Sequence, residues 1–200
     1  MRRERGRASS CPDYPRHDFN PRPRARYFKV QIHRLDEVRE HRWLVWADST
    51  LRFDDLGFVA QKAAALSRLP ARQRALVVPH PERNTISEEF QFIQRGIEAG
   101  NRYLIQRYST EKMPEQMAHF RSRGWNLEAP LWCGGFWMIE NSDVLRRAWD
   151  DWWDQNLRFG MMDQLSLPVV LAAHGIAPQL LPVNVWKNDY FTWCVHRREM

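Results

Sequence analysis

The chain has 200 residues, 44% of them hydrophobic, and it contains ten Trp and ten Phe. This length supports one domain with a sizeable core, and the bulky aromatic residues favour dense packing. No apolar run approaches the ~18 residues of a membrane span, and the basic N-terminus is not followed by the apolar segment of a signal peptide. We therefore expect no transmembrane segment and no secretory leader.

The formal net charge of +6 is concentrated at the N-terminus. Residues 1–26 hold eight Arg and three acidic residues, which gives +5 and leaves +1 for the other 174 residues. An Arg-rich arm can contact nucleic acid or an anionic membrane, but a solvated, poorly ordered extension is the more common outcome. Because the rest of the chain is nearly neutral, we do not expect nucleic acid to be a partner.

The number and spacing of the cysteines indicate the redox compartment of the protein and the role of Cys133. Cys11, Cys133 and Cys194 are odd in number and form no C-x-x-C pair, which argues against a disulfide framework and a structural zinc site. The pattern favours a reducing compartment, so we expect a cytoplasmic protein, either free or peripheral at a membrane. Cys133 lies in an apolar stretch, which predicts a small core residue rather than a nucleophile.

Residues 1–24 contain four Pro and no apolar periodicity, which predicts a basic, disordered arm in front of a single domain over residues 25–200. Periodicity and turn residues predict the elements that follow in chain order. The predicted helices cover residues 24–35, 57–69, 101–122, 142–157 and 163–173, and the helix over 101–122 is interrupted near Pro114. A further helix is opened by a capping box of Thr85 and Glu88. The predicted strands cover residues 43–47, 75–78, 131–139 with a bulge or close backbone approach at Gly134 and Gly135, and 179–183.

Strands that alternate with helices predict an α/β layered sheet. Residues 43–47 form a continuous apolar run, which is typical of a strand buried on both faces in a parallel sheet. Ligands of open α/β sheets bind beyond the carboxyl ends of the strands. Asp48 and His80 each follow a predicted strand, so both are candidate site residues.

Two acidic residues have competing interpretations. Asp48 can bind a divalent cation through its oxygens or form an Asx turn where the strand stops, and the pattern does not decide between them. Asp163, next to Gln164, can orient or deprotonate an acceptor hydroxyl. Asp is also a preferred helix N-cap, and Ser166 three residues later favours that structural role by about two to one.

Several basic side chains are candidates for phosphate recognition. His80 and Arg83 follow the second strand, and a guanidinium suits phosphate oxygens, although a His-Pro loop is more often structural. Lys29 and His33 lie one helical turn apart, so they either meet an anion or form the polar face of their helix.

An aromatic cluster of Trp149, Trp152 and Trp153 is interspersed with Asp residues. Such a stripe can stack on sugar rings, but more often it is half core and half solvated face. We expect Trp149 and Trp153 to belong to the core.

Taken in order, four segments resemble the plant and bacterial TOD/MUCI-type glycosyltransferase-like domain family, formerly a domain of unknown function. The resemblance covers roughly residues 24–185. The segments are Lys29-x-x-x-His33, then Trp46-Ala47-Asp48-Ser49, then His80-Pro81-Glu82-Arg83 with Glu88-Glu89 downstream, and finally Gly124 to Asp163-Gln164-Leu165-Ser166.

This resemblance implies a GT-A type nucleotide-diphospho-sugar transferase fold, with a Rossmann-like sheet flanked by helices. No apolar run that could form a first β-strand precedes Arg24, so we expect the first strand of the family fold to be missing. The usual acidic motif is Asp-x-Asp, whereas Ser49 and Thr50 follow Asp48 here. The implied site residues are Asp48 for the metal, Lys29, His33, His80 and Arg83 for the phosphates of the sugar donor, and Asp163 and Gln164 for catalysis.

The predicted function is therefore that of a glycosyltransferase in polysaccharide biosynthesis. It would move a sugar from a nucleotide-diphospho-sugar to a glycan or another hydroxyl acceptor, with Mn²⁺ or Mg²⁺ as cofactor. The alternative is a catalytically silent carbohydrate- or partner-binding domain on the same scaffold. The incomplete Asp-x-Asp motif and the missing first strand favour that alternative.

Overall fold

The computed structural model describes residues 21–53 and 55–194, with side chains from Ala25 onward. Most of the predicted arm, residues 1–20, lies outside these residues. Residues 21–24 belong to a helix that begins at Pro21, so the expected boundary at residue 24 falls within it. Proline fits the first turn of a helix, because its φ is already helical and the N–H that it lacks would have no partner there.

The described residues form seven α-helices and six β-strands. The helices are α1 (Pro21–Val30), α2 (Gly57–Leu66), α3 (Ile86–Glu98), α4 (Arg102–Tyr108), α5 (Met113–Ser122), α6 (Asp143–Phe159) and α7 (Asp163–Ala173). The strands are β1 (Trp43–Ala47), β2 (Leu51–Arg52), β3 (Ala75–Pro79), β4 (Trp132–Glu140), β5 (Gln179–Leu180) and β6 (Thr192–Trp193). The predicted elements are present with shifted ends, and the helical stretch expected to break near Pro114 is the pair α4 and α5.

Four strands form a mixed sheet in the order β1-β4-β3-β5. β1 and β3 both run antiparallel to β4, whereas β3 and β5 are parallel. The prediction of a parallel sheet is therefore wrong for β1, which lies at the edge of the sheet that the described residues form. Leu44 is buried but the rest of β1 is only half-buried, because its two faces are covered and its outer edge is not.

The direction of the strands places two predicted site residues at one end of the sheet. β1 and β3 run the same way, since each is antiparallel to the strand between them. Their carboxyl ends therefore lie side by side, and Asp48 and His80 follow those ends.

The sheet separates two apolar clusters. On one face Trp137 of β4 packs against Trp149 of α6, with 5.1 Å between ring centroids. Trp149 and Trp152 are fully buried, and Trp153 is half-buried and packs against the same cluster. The core prediction is therefore right for Trp149 and right in part for Trp153, and Trp152 is a further core residue. The cluster on the other face includes Phe58, Phe136 and Phe191.

The capping box predicted at the start of α3 forms in part. The Thr85 hydroxyl accepts a hydrogen bond from the Glu88 N–H at 3.2 Å. The Glu88 carboxylate accepts from the Asn84 N–H at 2.6 Å rather than from that of Thr85. These bonds fix the first turn of α3 beside the carboxyl end of β3.

Among the helices of the described residues, none combines the length and the apolar character that crossing a bilayer requires.

Gly160 connects α6 to α7 and sets where α7 begins. Its φ of +124° and ψ of −178° lie in a region that is essentially restricted to glycine. A Cβ at this position would overlap the Glu111 carboxylate. That carboxylate also accepts a hydrogen bond from the Met161 N–H, so the connection is tightly packed just before Asp163.

We predict that Gly160→Ala lowers the free energy of unfolding by about 3 kcal/mol, because it adds backbone strain and a steric overlap with Glu111. Gly124→Ala is the matched control. Gly124 also has a positive φ, +71°, but an added Cβ would meet nothing within 4 Å, so it should cost only ~1 kcal/mol. Urea unfolding of the two variants measures the difference, and equal losses would contradict this account of the α6–α7 connection.

Candidate functional site

Two adjoining cavities lie beyond the carboxyl ends of β1 and β3, and we call them together the strand-end cleft. The smaller cavity has a volume of about 300 Å³ and the larger about 880 Å³. Both are lined by residues of α1, of α4, of the end of β1 and of the C-terminal segment. The residues that line both are Arg26, Lys29, Asp48, Tyr103, Arg107, Tyr108 and Trp193.

Asp48 is held at the base of this cleft by β4 and by its own strand. Its backbone N–H donates to the Gly135 carbonyl at 2.8 Å. The Trp46 indole N–H donates to the Asp48 carboxylate at 2.7 Å. The turn after β1 closes through backbone groups, with the Leu51 N–H donating to the Asp48 carbonyl, so the side chain takes no part in that bond.

The glycine pair in β4 forms the bulge that the sequence predicts. The register between β3 and β4 shifts between Val77 and Val78, whose partners are Trp137 and Cys133. At Gly134 an added Cβ would lie 2.9 Å from Lys29 Nζ. The expected close approach is therefore confirmed, and it is made by the end of a lysine side chain.

A buried ion pair lies over this bulge. Lys29 Nζ is 2.6 Å from the Asp163 carboxylate, and both side chains are almost completely buried, with 2% and 3% exposed. Arg26, one turn earlier on α1, donates to the same carboxylate oxygen at 2.7 Å. Two cations therefore share one anion, and the cluster carries excess positive charge.

Asp163 remains ionised in this setting. Burial alone would raise its pKa, but the charges of Arg26 and Lys29 and the hydrogen bond from Lys29 outweigh burial, and the pKa lies below its ordinary value. The N-cap role favoured from the sequence is wrong: Met162 is the N-cap, and Asp163 is the first residue of α7. The Trp152 indole N–H holds the Asp163 carbonyl at 3.0 Å.

The loop after β3 brings His80 and Arg83 to the smaller cavity. His80 Nδ1 accepts hydrogen bonds from the backbone N–H groups of Glu82 and Arg83, at 3.2 and 3.0 Å. Burial, assisted by the charge of Arg83, lowers the pKa of His80 to about 4. His80 is therefore neutral near pH 7 and organises its own turn.

The charge of Arg83 is already matched by neighbouring carboxylates. Its guanidinium pairs with Glu89 and, at 2.8 Å, with Glu82. It also lies over the Phe92 ring, 4.1 Å from the centroid. Burial raises the pKa of Glu89, although Arg83 opposes that shift. This end of the cleft is consequently close to neutral.

His33 lies outside the strand-end cleft, contrary to its predicted place beside Lys29. α1 ends at Val30 and a 3-10 turn follows, so the helical spacing that paired the two residues does not continue. His33 Nε2 lies 2.9 Å from Asp150 of α6. Burial lowers the pKa of His33, and the hydrogen bond with Asp150 only partly opposes this.

Cys133 and Gln164 also line the smaller cavity. Burial raises the pKa of Cys133, so the group is a thiol near pH 7, as expected of a core residue and not of a nucleophile. Gln164 directly follows Asp163, and its Cγ would lie 3.5 Å from a Cβ at Gly134. Its amide can both donate and accept hydrogen bonds.

Five residues that line both cavities were not predicted as site residues from the sequence: Arg26, Tyr103, Arg107, Tyr108 and Trp193. Arg26 was counted with the basic arm, although its spacing of three residues from Lys29 places both on one helix face. Arg107 donates to the Tyr103 hydroxyl at 2.8 Å. No local pattern marks α4 as part of a site, because its position depends on tertiary packing.

No group of three or more His, Cys, Asp or Glu side chains arranged to hold a metal ion occurs within residues 21–53 and 55–194. The other cleft carboxylates are engaged: Asp163 by two cations, Glu89 by Arg83, and Glu111 by the Met161 N–H. Asp48, which accepts from the Trp46 indole, is therefore the candidate to meet a metal. A single carboxylate fits Mg²⁺ or Mn²⁺ only when other ligands complete the shell, as substrate phosphates commonly do.

Comparison of the chain with protein-family models, with curated proteins and with solved structures finds no match. The resemblance to the TOD/MUCI-type family therefore stays a prediction.

We predict that Asp163→Asn destabilises the fold by about 3–5 kcal/mol, because it leaves the buried Lys29 ammonium without its counterion. Lys29→Met should cost less, since Asp163 keeps Arg26. Urea unfolding at pH 7 measures both losses. If Asp163→Asn lowered the free energy of unfolding no more than Lys29→Met does, Asp163 would not be the counterion that the buried Lys29 requires.

The pair of Lys29 and Asp163 should make the stability of the fold depend on pH. The pKa of Asp163 is lower in the folded chain than the ~3.9 expected when unfolded. Its stabilisation is therefore fully present above about pH 4 and is lost as the pH falls through the folded value. The stability difference between the native chain and Asp163→Asn should shrink in that acidic range, and a constant difference would count against the pair.

Proposed function

We propose that the chain is a glycosyltransferase of GT-A type, which binds a nucleotide-diphospho-sugar in the strand-end cleft. One observation carries the proposal: a cleft beyond two strand ends gathers Arg26, Lys29 and Arg107 around the single Asp163 carboxylate and combines them with exposed aromatic rings. Phe92, Tyr103 and Trp186 line the smaller cavity and are 43%, 60% and 46% exposed. Large exposed aromatic side chains around a concave site are typical of ligand binding.

The phosphates of the sugar donor are assigned to the Lys29 end of the cleft. Arg26 and Lys29 share one counterion, and Arg107 is close enough to lower the pKa of the same Asp163 carboxylate. Guanidinium groups suit phosphate oxygens geometrically. The other candidate end is weaker, because His80 is neutral and Arg83 is matched by two carboxylates.

The planar and apolar parts of the sugar donor are assigned to the aromatic rim. Base–aromatic stacking is worth ~1–3 kcal/mol and tolerates any base. Tyr103 and Trp186 are exposed rings of this lining, and the Tyr103 hydroxyl accepts a hydrogen bond from Arg107 at 2.8 Å. The nucleoside would stack there while its diphosphate reaches the cationic end.

A divalent cation fits this proposal as a companion of the sugar donor. Asp48 would contribute one carboxylate, and the diphosphate oxygens would supply further ligands. When bound, the cation would neutralise charge that develops on the departing nucleoside diphosphate. Lys29 and Arg26, which line the same two cavities as Asp48, would act on the same charge.

The two residues expected to be catalytic receive different roles. In the transfer, an acceptor hydroxyl attacks the anomeric carbon while the bond from that carbon to the diphosphate breaks, and the hydroxyl proton passes to an oxygen of the departing diphosphate. A carboxylate with a lowered pKa is a weak general base, so we assign Asp163 to positioning Lys29 and Arg26. Gln164 is assigned to hydrogen bonding with the acceptor hydroxyl or the sugar.

One observation favours a second candidate, a carbohydrate-binding domain without transferase activity. The Asp163 carboxylate is committed to two cations, which removes the most obvious base from the site. Binding of a glycan without any binding of nucleotide would decide for this candidate.

We predict that UDP- or GDP-sugars with Mn²⁺ raise the melting temperature of the native chain by about 5–10 °C at ~100-fold excess over Kd, equivalent to ~2.7 kcal/mol. Asp48→Asn should lose most of this shift, because it removes the carboxylate that meets the cation. Asp36→Asn is the matched control, since Asp36 is an exposed acid that is 85% accessible. A melting curve unmoved by every nucleotide would refute binding of a nucleotide-sugar.

The cation should bind with the nucleotide and not by itself. Calorimetric titration of Mn²⁺ into the protein alone should give no saturable heat, whereas titration in the presence of UDP should give one. The reason is that Asp48 supplies one ligand and the phosphates supply more. Saturable Mn²⁺ binding without nucleotide, abolished by Asp48→Asn, would instead indicate a resident metal site.

A further inference from the structure

The outer edge of β1 carries backbone groups that point away from the sheet. The Asp48 N–H donates to the Gly135 carbonyl, and the Asn141 N–H donates to the Arg42 carbonyl, at 2.8 and 2.7 Å. Bonded positions alternate along an antiparallel strand, so the even-numbered residues from 42 to 48 face β4. The N–H and C=O groups of residues 43, 45 and 47 therefore face outward, where no described strand pairs with β1.

This edge lacks the usual protection against pairing. Exposed edge strands are normally blocked by a proline, a charged side chain or a bulge. Residues 43–47 are all apolar, and their register with β4 is unbroken along the whole strand. Its composition of Trp, Leu and Val also favours strand pairing. The edge is thus suited to accept another strand.

The charges at the two ends of the strand select the partner. Arg42 precedes β1 and Asp48 follows it. We propose that β1 pairs antiparallel with β1 of a second copy of this chain, about a two-fold axis through Val45. Arg42 of each copy then lies opposite Asp48 of the partner subunit, and both ends of the interface are matched in charge.

The register that this symmetry requires agrees with the backbone. Val45 is an outward-facing residue, so it lies opposite its own copy in a bonded pair, and Trp43 lies opposite Ala47 of the partner subunit in the next. A large side chain thus faces a small one on each side of the axis. Arg42 and the partner's Asp48 form a non-bonded pair, whose Cβ atoms approach to ~4.5–5.5 Å.

Arg42 can take part without disrupting its own subunit. Its side chain is 59% exposed, and it shares the Glu140 carboxylate with Arg74. If Arg42 turns toward the partner, Glu140 keeps Arg74. Because Asp48 lies in the strand-end cleft, Arg42 of the partner subunit would compete with the divalent cation of the proposed function for the Asp48 carboxylate. The pairing itself rests on the β1 edge and does not depend on the proposed function.

Sedimentation equilibrium of the full chain tests the pairing, with Val45→Pro as the variant and Val45→Thr as the matched control. Proline removes an N–H that faces outward, so it leaves the β1–β4 bonds intact and is tolerated on an edge strand. The native chain and Val45→Thr should be dimers, and Val45→Pro should dimerise at least ~10-fold more weakly. A monomeric native chain, or equal dimerisation of a folded Val45→Pro, would overturn the proposal.

Disulfide trapping tests the register in a Cys11→Ser, Cys194→Ser background. Val45→Cys should form a linked dimer with diamide as oxidant, because a bonded pair has its Cα atoms about 5.5 Å apart. Ala47→Cys should not, since the two-fold axis would separate the two copies of residue 47 by ~13 Å. Linkage through residue 47 and not through residue 45 would refute the two-fold register.

Discussion

The buried ion pair between Lys29 and Asp163 is the interaction on which the rest of the site depends. Two charges that are almost completely removed from water are stable together only while they remain paired. The pair therefore fixes α1 against the start of α7, and it needs the open backbone of Gly134 beneath it. The Trp152 indole completes the arrangement by holding the Asp163 carbonyl from the core side.

Charge is distributed unevenly around this pair, so the two ends of the cleft differ in their affinity for anions. Near Asp163 two cations share one carboxylate, so an incoming anion gains attraction without first displacing a counterion. Near β3 the opposite holds, since Arg83 is matched by Glu89 and His80 is kept neutral by burial. A ligand with a phosphate end and a planar end fits this division, because the exposed rings lie on the rim and the excess cations lie deeper.

Local features of the fold were predictable because local residues determine them. The apolar run of β1, the glycine bulge and the start of α3 each follow from neighbouring side chains. The strand order and the contacts of Asp163 with Lys29 and Arg26 did not follow, because these partners are far apart in sequence, 137 residues for Arg26 and Asp163. The predicted place of His33 beside Lys29 is wrong because α1 ends at Val30, before His33. The predicted N-cap at Asp163 is wrong because α7 already begins at Asp163, so the cap is Met162.

The most direct test of the account is an NMR titration of the Trp indole N–H resonances with UDP and Mn²⁺. Trp46 donates to Asp48, and Trp186 and Trp193 line the cleft, so these three signals should shift. Trp43, at the opposite end of β1, and Trp125, which packs against a different apolar cluster, do not line the cleft and should not shift. Shifts confined to the first group are the predicted result. No shifts, or shifts spread equally over both groups, would contradict nucleotide binding in the strand-end cleft.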